Sequence, residues 1–178
     1  LFSFSPGVDD GQSHISAIRF SQDWVRRTTY DVLAIRSVLN FGIDVGDATI
    51  NDDGSPDGKF FTWLGQFQWV RRLDFLHLGK TPEWKKAWED GQIIFRTDFQ
   101  KSWDPLLPLE KLSIGGAGTV RGYRENLLTH DNGIITSLEV RGPVPKWNLQ
   151  PLKIPFWGIS KTPEDGAVQW ALFADYGH

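Results

Sequence analysis

The sequence contains no cysteine and no methionine, and its opposite charges nearly cancel. Without cysteine there is no disulfide framework, no thiolate metal site and no thiol nucleophile. The 19 Lys and Arg residues against 22 Asp and Glu leave a formal net charge of −3, which excludes a chain that grips nucleic acid through its overall charge. No apolar run approaches the roughly 20 residues that a transmembrane helix needs.

The two ends of the chain also lack expected features. The sequence starts at Leu1 without a start methionine or a signal peptide, which would show a charged segment before an apolar one. It ends at His178 within a segment that has the pattern of a strand. We therefore expect a fragment or processed segment whose fold takes further strands from outside this chain.

Aromatic residues are what the chain has in excess: nine Trp, twelve Phe and three Tyr. Many of them recur at every second residue, which is the side-chain period of a β-strand. The clearest segment places Trp63, Phe67 and Trp69 on one face and Gln66 and Gln68 on the other. This alternation predicts long strands near residues 14–22, 28–44, 59–71, 91–101, 133–142 and 166–176.

The predicted connectors differ in length and character. Residues 21–27 are read as a short polar link, and residues 42–58 contain a turn-rich polar stretch. A longer insertion at residues 71–91 predicts a short helix near 82–90, with Thr81 as its cap and Pro82 in its first position.

Long strands with one aromatic face and one polar face are typical of an outer-membrane β-barrel, in which lipid-facing and lumen-facing residues alternate. Trp63, Phe67 and Trp69 would then face lipid or belong to an aromatic girdle. A soluble β-sandwich also alternates, and the same tryptophans would then form a sugar-stacking platform of a carbohydrate-binding module. The pattern alone leaves both readings open.

The glycine-rich segment around residues 115–122 is the most distinctive part of the chain. It does not fit a dinucleotide-binding loop, because a pattern starting at Gly116 needs glycine where Arg121 stands. No Gly-Lys-Ser/Thr follows for a phosphate-binding P-loop. We therefore expect no nucleotide here.

Catalytic and metal-binding patterns are missing as well. The histidines show no metal-ligand spacing, and no G-x-S-x-G nucleophile motif occurs. We expect no catalytic residue, no metal site and no cofactor. The chain is therefore not expected to be an enzyme.

Two motifs closely resemble the Omp85 superfamily of outer-membrane proteins. The tip of its sixth extracellular loop carries Val/Ile-Arg-Gly-Phe/Tyr, which matches Val120, Arg121, Gly122 and Tyr123. Its thirteenth barrel strand carries Phe-x-Asp-x-Gly, which matches Phe173, Asp175 and Gly177. The residues flanking the loop tip most resemble the haemolysin-activator type, the transporters of two-partner secretion. The match is most direct over residues 104–177.

This resemblance implies an all-β fold, a 16-stranded antiparallel transmembrane β-barrel in the outer membrane of a Gram-negative type envelope. Residues 1–178 would form one partial barrel domain of about six strands, with an inward-folding loop near 103–132. Periplasmic POTRA domains are expected outside this chain. The implied partners are outer-membrane lipid and an unfolded secreted exoprotein, which crosses without nucleotide and without nucleic acid.

The resemblance also implies roles for individual residues. Arg121 would be held by Asp175 of the later strand, as a latch between loop and wall. Glycine tolerates positive φ angles, so the loop glycines would let the chain re-enter the lumen; these are Gly115, Gly116, Gly118 and Gly122. The polar residues expected to line the lumen are Gln66, Gln68, Arg96, Asp98, Gln100 and Glu139. An Omp85 barrel-assembly or translocation-assembly insertase, which shares the loop tip, remains an alternative to secretion.

Overall fold

The structure is a computed structural model that describes residues 12–51, 54–144 and 169–178. Within these ranges the long strands and their bounds are β1 (Ser16–Arg27), β2 (Asp31–Ile43), β3 (Phe61–Arg72) and β4 (Gln92–Ser102). Two short strands follow, β5 (Leu112–Ile114) and β6 (Leu128–His130), and then the long strands β7 (Gly133–Pro143) and β8 (Gln169–Gly177). The helix α1 (Pro82–Glu89) lies between β3 and β4, where a helix was predicted. Thr81 is its N-cap residue, although its side chain makes no capping hydrogen bond.

The six long strands form one antiparallel sheet in the order β1-β2-β3-β4-β7-β8. Each strand pairs with its predecessor in the chain except β7, which pairs with β4 across the loop that contains the hairpin β5-β6. The pairing is continuous, with twelve residue pairs between β1 and β2 alone. Where no water is present, every backbone N–H and C=O group must be hydrogen-bonded within the protein. Long alternating segments that pair with one another in sequence order meet this requirement.

The predicted strands are confirmed to within three residues at each end, apart from the end of the first. The predicted link at 21–27 is wrong, because these residues continue β1 and pair with residues 32–38 of β2. Asp23 lies on the polar inner face and pairs with Arg36, whereas Gln22 and Arg26 lie on the opposite face with Trp24. The turn lies at residues 28–30, where the Thr28 hydroxyl bonds the Asp31 carboxylate. Residues 166–168 of the last predicted strand lie outside the described residues.

The sheet has an inner face, which carries the loop of residues 103–132, and an opposite outer face. The inner face is mainly polar, as shown by Asp23, Arg36, Asn40, Thr62, Gln66, Gln68, Arg96, Asp98, Gln100, Ser137, Glu139 and Asp175. The outer face is aromatic and aliphatic, as shown by Phe20, Trp24, Ile35, Leu39, Phe41, Phe61, Trp63, Phe67, Trp69, Phe95, Phe99, Leu138, Leu172 and Tyr176.

Much of the outer face is exposed, with Phe20 at 53% and Leu172 at 70% of full exposure. Its rings nevertheless contact one another along the sheet: Trp63 meets Phe99 edge to face, and Phe61 stacks between Phe41 and Trp103 at centroid distances of 4.9 and 4.8 Å. A continuous and largely exposed apolar face on a sheet of six long strands indicates contact with another apolar phase. Among the described residues, no helix has the length and apolar character needed to cross a membrane.

Candidate functional site

The loop of residues 103–132 lies across the inner face and is tied to it by both of its arms. The Gln100 side-chain amide donates to the Glu110 carbonyl of the incoming arm at 2.9 Å and to the Asp131 carbonyl of the outgoing arm at 3.2 Å. The Glu110 carboxylate reaches across the sheet to Arg19 of β1 at 2.6 Å. The two arms also pair with each other as β5 and β6. These contacts therefore bind the base of the loop to the inner face of the sheet, and the contacts of the tip add to them.

The tip turns back through residues with unusual backbone angles. Gly115, Gly116 and Gly122 have φ angles of +117°, +96° and +91°, a region that side chains with a Cβ rarely adopt. Gly118, by contrast, does not have a positive φ. Its contribution is its carbonyl, which accepts a hydrogen bond from Arg96 at 3.0 Å. The Thr119 hydroxyl closes the turn by bonding both the N–H and the carbonyl of Gly115.

Arg121 at the tip binds Asp175 of β8 through three hydrogen bonds. Its Nε donates to Oδ2 at 2.7 Å, its Nη2 donates to Oδ1 at 2.8 Å, and its backbone N–H donates to Oδ2 at 3.0 Å. The first two form a bidentate pair between the planar guanidinium and the carboxylate, the strongest geometry for this pair of groups. The side chain of Asp175 is only 3% exposed and that of Arg121 is 25% exposed, so the pair is largely shielded from water.

Two residues of β7 complete the ring of acceptors around Arg121. Its Nη1 donates to the Glu139 carboxylate at 2.5 Å, and its Nη2 donates to the Ser137 hydroxyl at 3.1 Å. The same hydroxyl donates to Asp175 at 2.7 Å. These bonds, above all those from Asp175, raise the pKa of Arg121 above its ordinary value despite partial desolvation. The guanidinium therefore remains charged under all physiological conditions.

The ring of Phe173 forms the floor beneath the guanidinium, with 3.6 Å between the Arg121 Cζ and the ring centroid. Strand register explains why these groups meet. Ser137 pairs with Asp175 and Glu139 pairs with Phe173, so four inner-face positions on two neighbouring strands form one square. A cation over an aromatic face adds to the ionic attraction.

Gly177, the last residue of the second motif, makes room for the loop. A Cβ at this position would lie 2.6 Å from the Ile114 Cγ2 and 2.9 Å from the Val120 Cγ2. Ile114 and Val120 are buried there against Ile135 of β7. The loop tip is thus fixed by apolar packing on one side of Arg121 and by charged hydrogen bonds on the other. Tyr123, the last residue of the first motif, is exposed beside Leu127.

The residues expected to line the lumen all lie on the inner face, but they have different contacts. Arg96 and Gln100 bind the loop backbone, and Glu139 binds Arg121. Gln66 donates to Asp98 at 3.1 Å. Gln68 is exposed. Four of them border a groove that also contains the Asp23–Arg36 ion pair, namely Gln66, Gln68, Arg96 and Asp98.

Several loop-holding residues were not predicted from the sequence. Ser137 could have been found as the inner-face neighbour of Glu139, two positions earlier on the same strand. Glu110 and Thr119 carried no signal, because their partners are Arg19, 91 residues earlier in the chain, and the backbone of the same turn. In the described part of the chain, no group of three or more His, Cys, Asp or Glu side chains is placed to hold a metal ion.

A single antiparallel sheet with an apolar outer face, a polar inner face and a glycine-rich loop tethered to the inner face defines a class of protein. It is a partial transmembrane β-barrel of the Omp85 type, located in the outer membrane.

The family follows from comparison with known proteins. The model of the family described as haemolysin secretion/activation protein ShlB/FhaC/HecB matches residues 8–178. The chain therefore belongs to this family, whose members are outer-membrane protein transporters of Gram-negative bacteria. No curated protein and no solved structure gives a significant match to the chain.

Proposed function

We propose that this chain is part of the pore through which an unfolded partner exoprotein leaves the cell in two-partner secretion, and that POTRA domains outside the chain receive that partner in the periplasm. No nucleotide takes part. The observation that carries the proposal is the tethering of the loop tip to the inner wall by Arg121, which five side-chain and backbone donor contacts to β7 and β8 hold in place.

The chemistry of the inner face supports passage of an extended polypeptide. The groove beside the loop contains the acidic Asp23 and Asp98 and the basic Arg36 and Arg96, so neither sign of charge dominates. A translocating chain brings side chains of both signs together with backbone amide groups. A polar wall with balanced charge hydrates such a chain without binding one segment tightly. An aromatic or strongly charged wall would retain it.

The geometry of the loop supports a role in keeping the conduit passable. Gln100 and Arg19 bind the arms of the loop. Arg121 binds the tip of the loop to Asp175, which lies 54 residues later in the chain. Loss of Arg121 would leave Asp175, 3% exposed, as a buried charge without its cation. Breaking a fully buried pair costs roughly 3–5 kcal/mol, and the cost is smaller where water in the lumen hydrates the remaining carboxylate. The freed tip would then sample positions inside the conduit.

The test is secretion by the intact protein carrying Arg121→Ala. We expect the barrel to remain in the outer membrane and to migrate as a heat-modifiable species, while export of the cognate exoprotein falls. Arg124→Ala is the matched control, because Arg124 is an exposed arginine three residues further along the same loop. Export at the wild-type level by the Arg121 variant would refute the proposed role.

Exchange of the two charges tests the pairing itself. Arg121→Asp combined with Asp175→Arg should secrete more than either single variant, since the double variant restores an ion pair. Glu139 would then face a like charge on the loop, so full recovery is not expected. A double variant no better than the worse single variant would argue against the pair as the functional contact.

Secretion and barrel assembly predict different losses. If this chain belongs to a secretion pore, Arg121→Ala lowers only the partner exoprotein in the medium, and other outer-membrane barrels keep their normal abundance. If it belongs to an insertase, the abundance of unrelated barrels falls first. Quantifying both protein pools in the same cells separates the two functions.

A further inference from the structure

The insertion between β3 and β4, residues 73–91, is named here the interface segment. It begins with a short 3-10 helix, Leu73–Leu76, and ends with α1. Its two ends are joined by a hydrogen bond from the Leu73 N–H to the Gly91 carbonyl at 2.9 Å. Leu73 is buried at the junction. The segment is therefore a folded unit closed at its base.

The interface segment lies at the opposite end of the strands from the loop of residues 103–132. The antiparallel order requires this, because the loop follows the end of β4 whereas the segment precedes its start. With that loop on the extracellular side, the segment lies on the periplasmic side. There the outer membrane exposes a phospholipid leaflet, whose headgroups carry phosphate.

Helix α1 packs on the outer face of the sheet. The Trp88 ring contacts the Trp170 ring edge to face at a centroid distance of 5.2 Å, and Trp170 shares its face with Leu172 and Tyr176. The Ala87 carbonyl lies 3.3 Å from where a Cβ of Gly142 would be, so the missing side chain of Gly142 admits the helix. The helix thus continues the lipid-facing surface beyond the end of the strands.

Within the described part of the chain, the large apolar side chains of this segment are only partly covered by protein, and the Phe75 ring is contacted by the Arg71 guanidinium at 4.4 Å. Phe75, Leu76, Leu78 and Trp84 are each between 39% and 43% exposed. Their placement is built into the backbone: Gly79, with φ +112°, brings the chain against the first turn of α1, where a Cβ would lie 2.5 Å from the Lys85 nitrogen. A fixed cluster of apolar residues beside a lipid-facing wall requires an apolar environment.

The side chains of α1 place two tryptophans on one side, and its charges balance, with Lys85 and Lys86 against Glu83 and Glu89. Trp84 and Trp88 are one turn apart on one face, and Ala87 between them is buried. Lys86 lies about 200° around the helix from Trp84, and Lys85 lies about 100° from it. Both lysines are exposed. Tryptophan at the level of the headgroups and lysine reaching phosphate are the usual features of helices that lie in a membrane surface.

We propose that the interface segment lies in the periplasmic leaflet of the outer membrane, with Trp84 and its apolar neighbours at the boundary between headgroups and acyl chains and Lys85 against phospholipid phosphate. In this position the segment enters one leaflet without crossing the membrane, and it extends the lipid-contacting surface of the barrel beyond the strands. The proposal concerns how the protein sits in the membrane, and it holds whichever protein the barrel transports.

The test places a fluorescent label at two positions of the same helix. The full-length protein carries Trp84→Cys or Lys86→Cys, each labelled with an environment-sensitive nitrobenzoxadiazole dye, in vesicles of phosphatidylethanolamine and phosphatidylglycerol. Heat-modifiable migration shows that each variant is folded. We expect a blue-shifted emission at position 84 and quenching there by lipids that carry a nitroxide near the headgroup, with an aqueous emission at position 86. Equal aqueous emission at both positions would overturn the proposal.

The phosphate contact has its own variant. Adding Lys85→Glu to the labelled Trp84→Cys protein should weaken quenching by headgroup nitroxides, because the carboxylate is repelled by phosphate. Lys86→Glu, on the opposite side of the helix from the label, should leave that quenching unchanged. Unchanged quenching after Lys85→Glu would remove the lysine from the contact.

Discussion

Asp175 and Glu139 both bind Arg121, but their positions give them unequal weight. Asp175 is nearly inaccessible to water and accepts three hydrogen bonds from Arg121 and one from Ser137, whereas Glu139 accepts one bond from Arg121 and is 21% exposed. Charged hydrogen bonds are stronger where solvent is excluded. Asp175 is therefore the main anchor, and Glu139 supplements it.

At the same scale, Gly177→Ala should weaken the docking of the loop without touching any charge. The new methyl group would overlap Ile114 and Val120, and overpacking of this kind costs typically about 1–3 kcal/mol. We expect faster proteolysis of residues 103–132 in the intact barrel. Gly118→Ala is the matched control, since nothing lies within 4 Å of a Cβ there. Equal proteolysis of both variants would contradict the packing account.

At the scale of elements, the loop of residues 103–132 and the interface segment lie on opposite faces of the sheet. The loop of residues 103–132 folds onto the polar face and buries Ile114 and Val120 against Ile135, whereas Leu109, Tyr123 and Leu127 stay exposed. The interface segment folds onto the apolar face and leaves its own apolar residues partly exposed. The difference follows from composition: the loop tip has glycines and an arginine that suit a polar wall, and the segment has tryptophans that suit hydrocarbon.

Gly79→Ala should disrupt the interface segment alone. Alanine at a φ of +112° is strained, and its Cβ would overlap the backbone of Lys85. Gly46→Ala serves as control, because its φ is also positive, at +67°, but the surrounding space is open. We expect faster tryptic cleavage near Lys80 and Lys85 in the Gly79 variant, with the barrel still heat-modifiable. A segment that stays as resistant as in the Gly46 variant would show that the close contact is unimportant.

At the scale of the whole molecule, the sheet separates two solvents. Neighbouring residues of one strand therefore face different media, as Ala34 and Ile35 do in the middle of β2. The inner-face groove around Ala34 holds Arg36, Gln68 and Asp98. The outer position of Ile35 is surrounded by apolar side chains such as Phe67, its partner on β3.

Ile35→Lys and Ala34→Lys test this separation with the same new charge. A lysine facing the bilayer midplane costs roughly 2–4 kcal/mol, less near the interfaces, whereas a lysine at the groove stays hydrated beside Asp98. We expect Ile35→Lys to lower the midpoint of the heat-modifiable transition and Ala34→Lys to leave it nearly unchanged. Equal midpoints for the two variants would contradict the assignment of the faces.

The sequence by itself determined the strands, their two faces and the two motifs that carry the family resemblance. These features are local, because alternation with a period of two is a property of the extended backbone and is visible within a single segment. It also predicted that Arg121 and Asp175 belong together, although only by resemblance. The predicted end of β1 is wrong because the polar residues within 21–27 are typical of a connecting link as long as their pairing partners on β2 are unknown.

Only the tertiary structure decided which groups hold the loop and where the helix lies. Ser137, Glu110 and Gly177 act through partners that are distant in the chain, and strand register together with the path of the loop brings them into contact. The place of α1 on the outer face depends on a contact between Trp88 and Trp170, which are separated in the chain by the four strands β4 to β7. No local pattern specifies contacts at such separations, since they exist only once the sheet has formed.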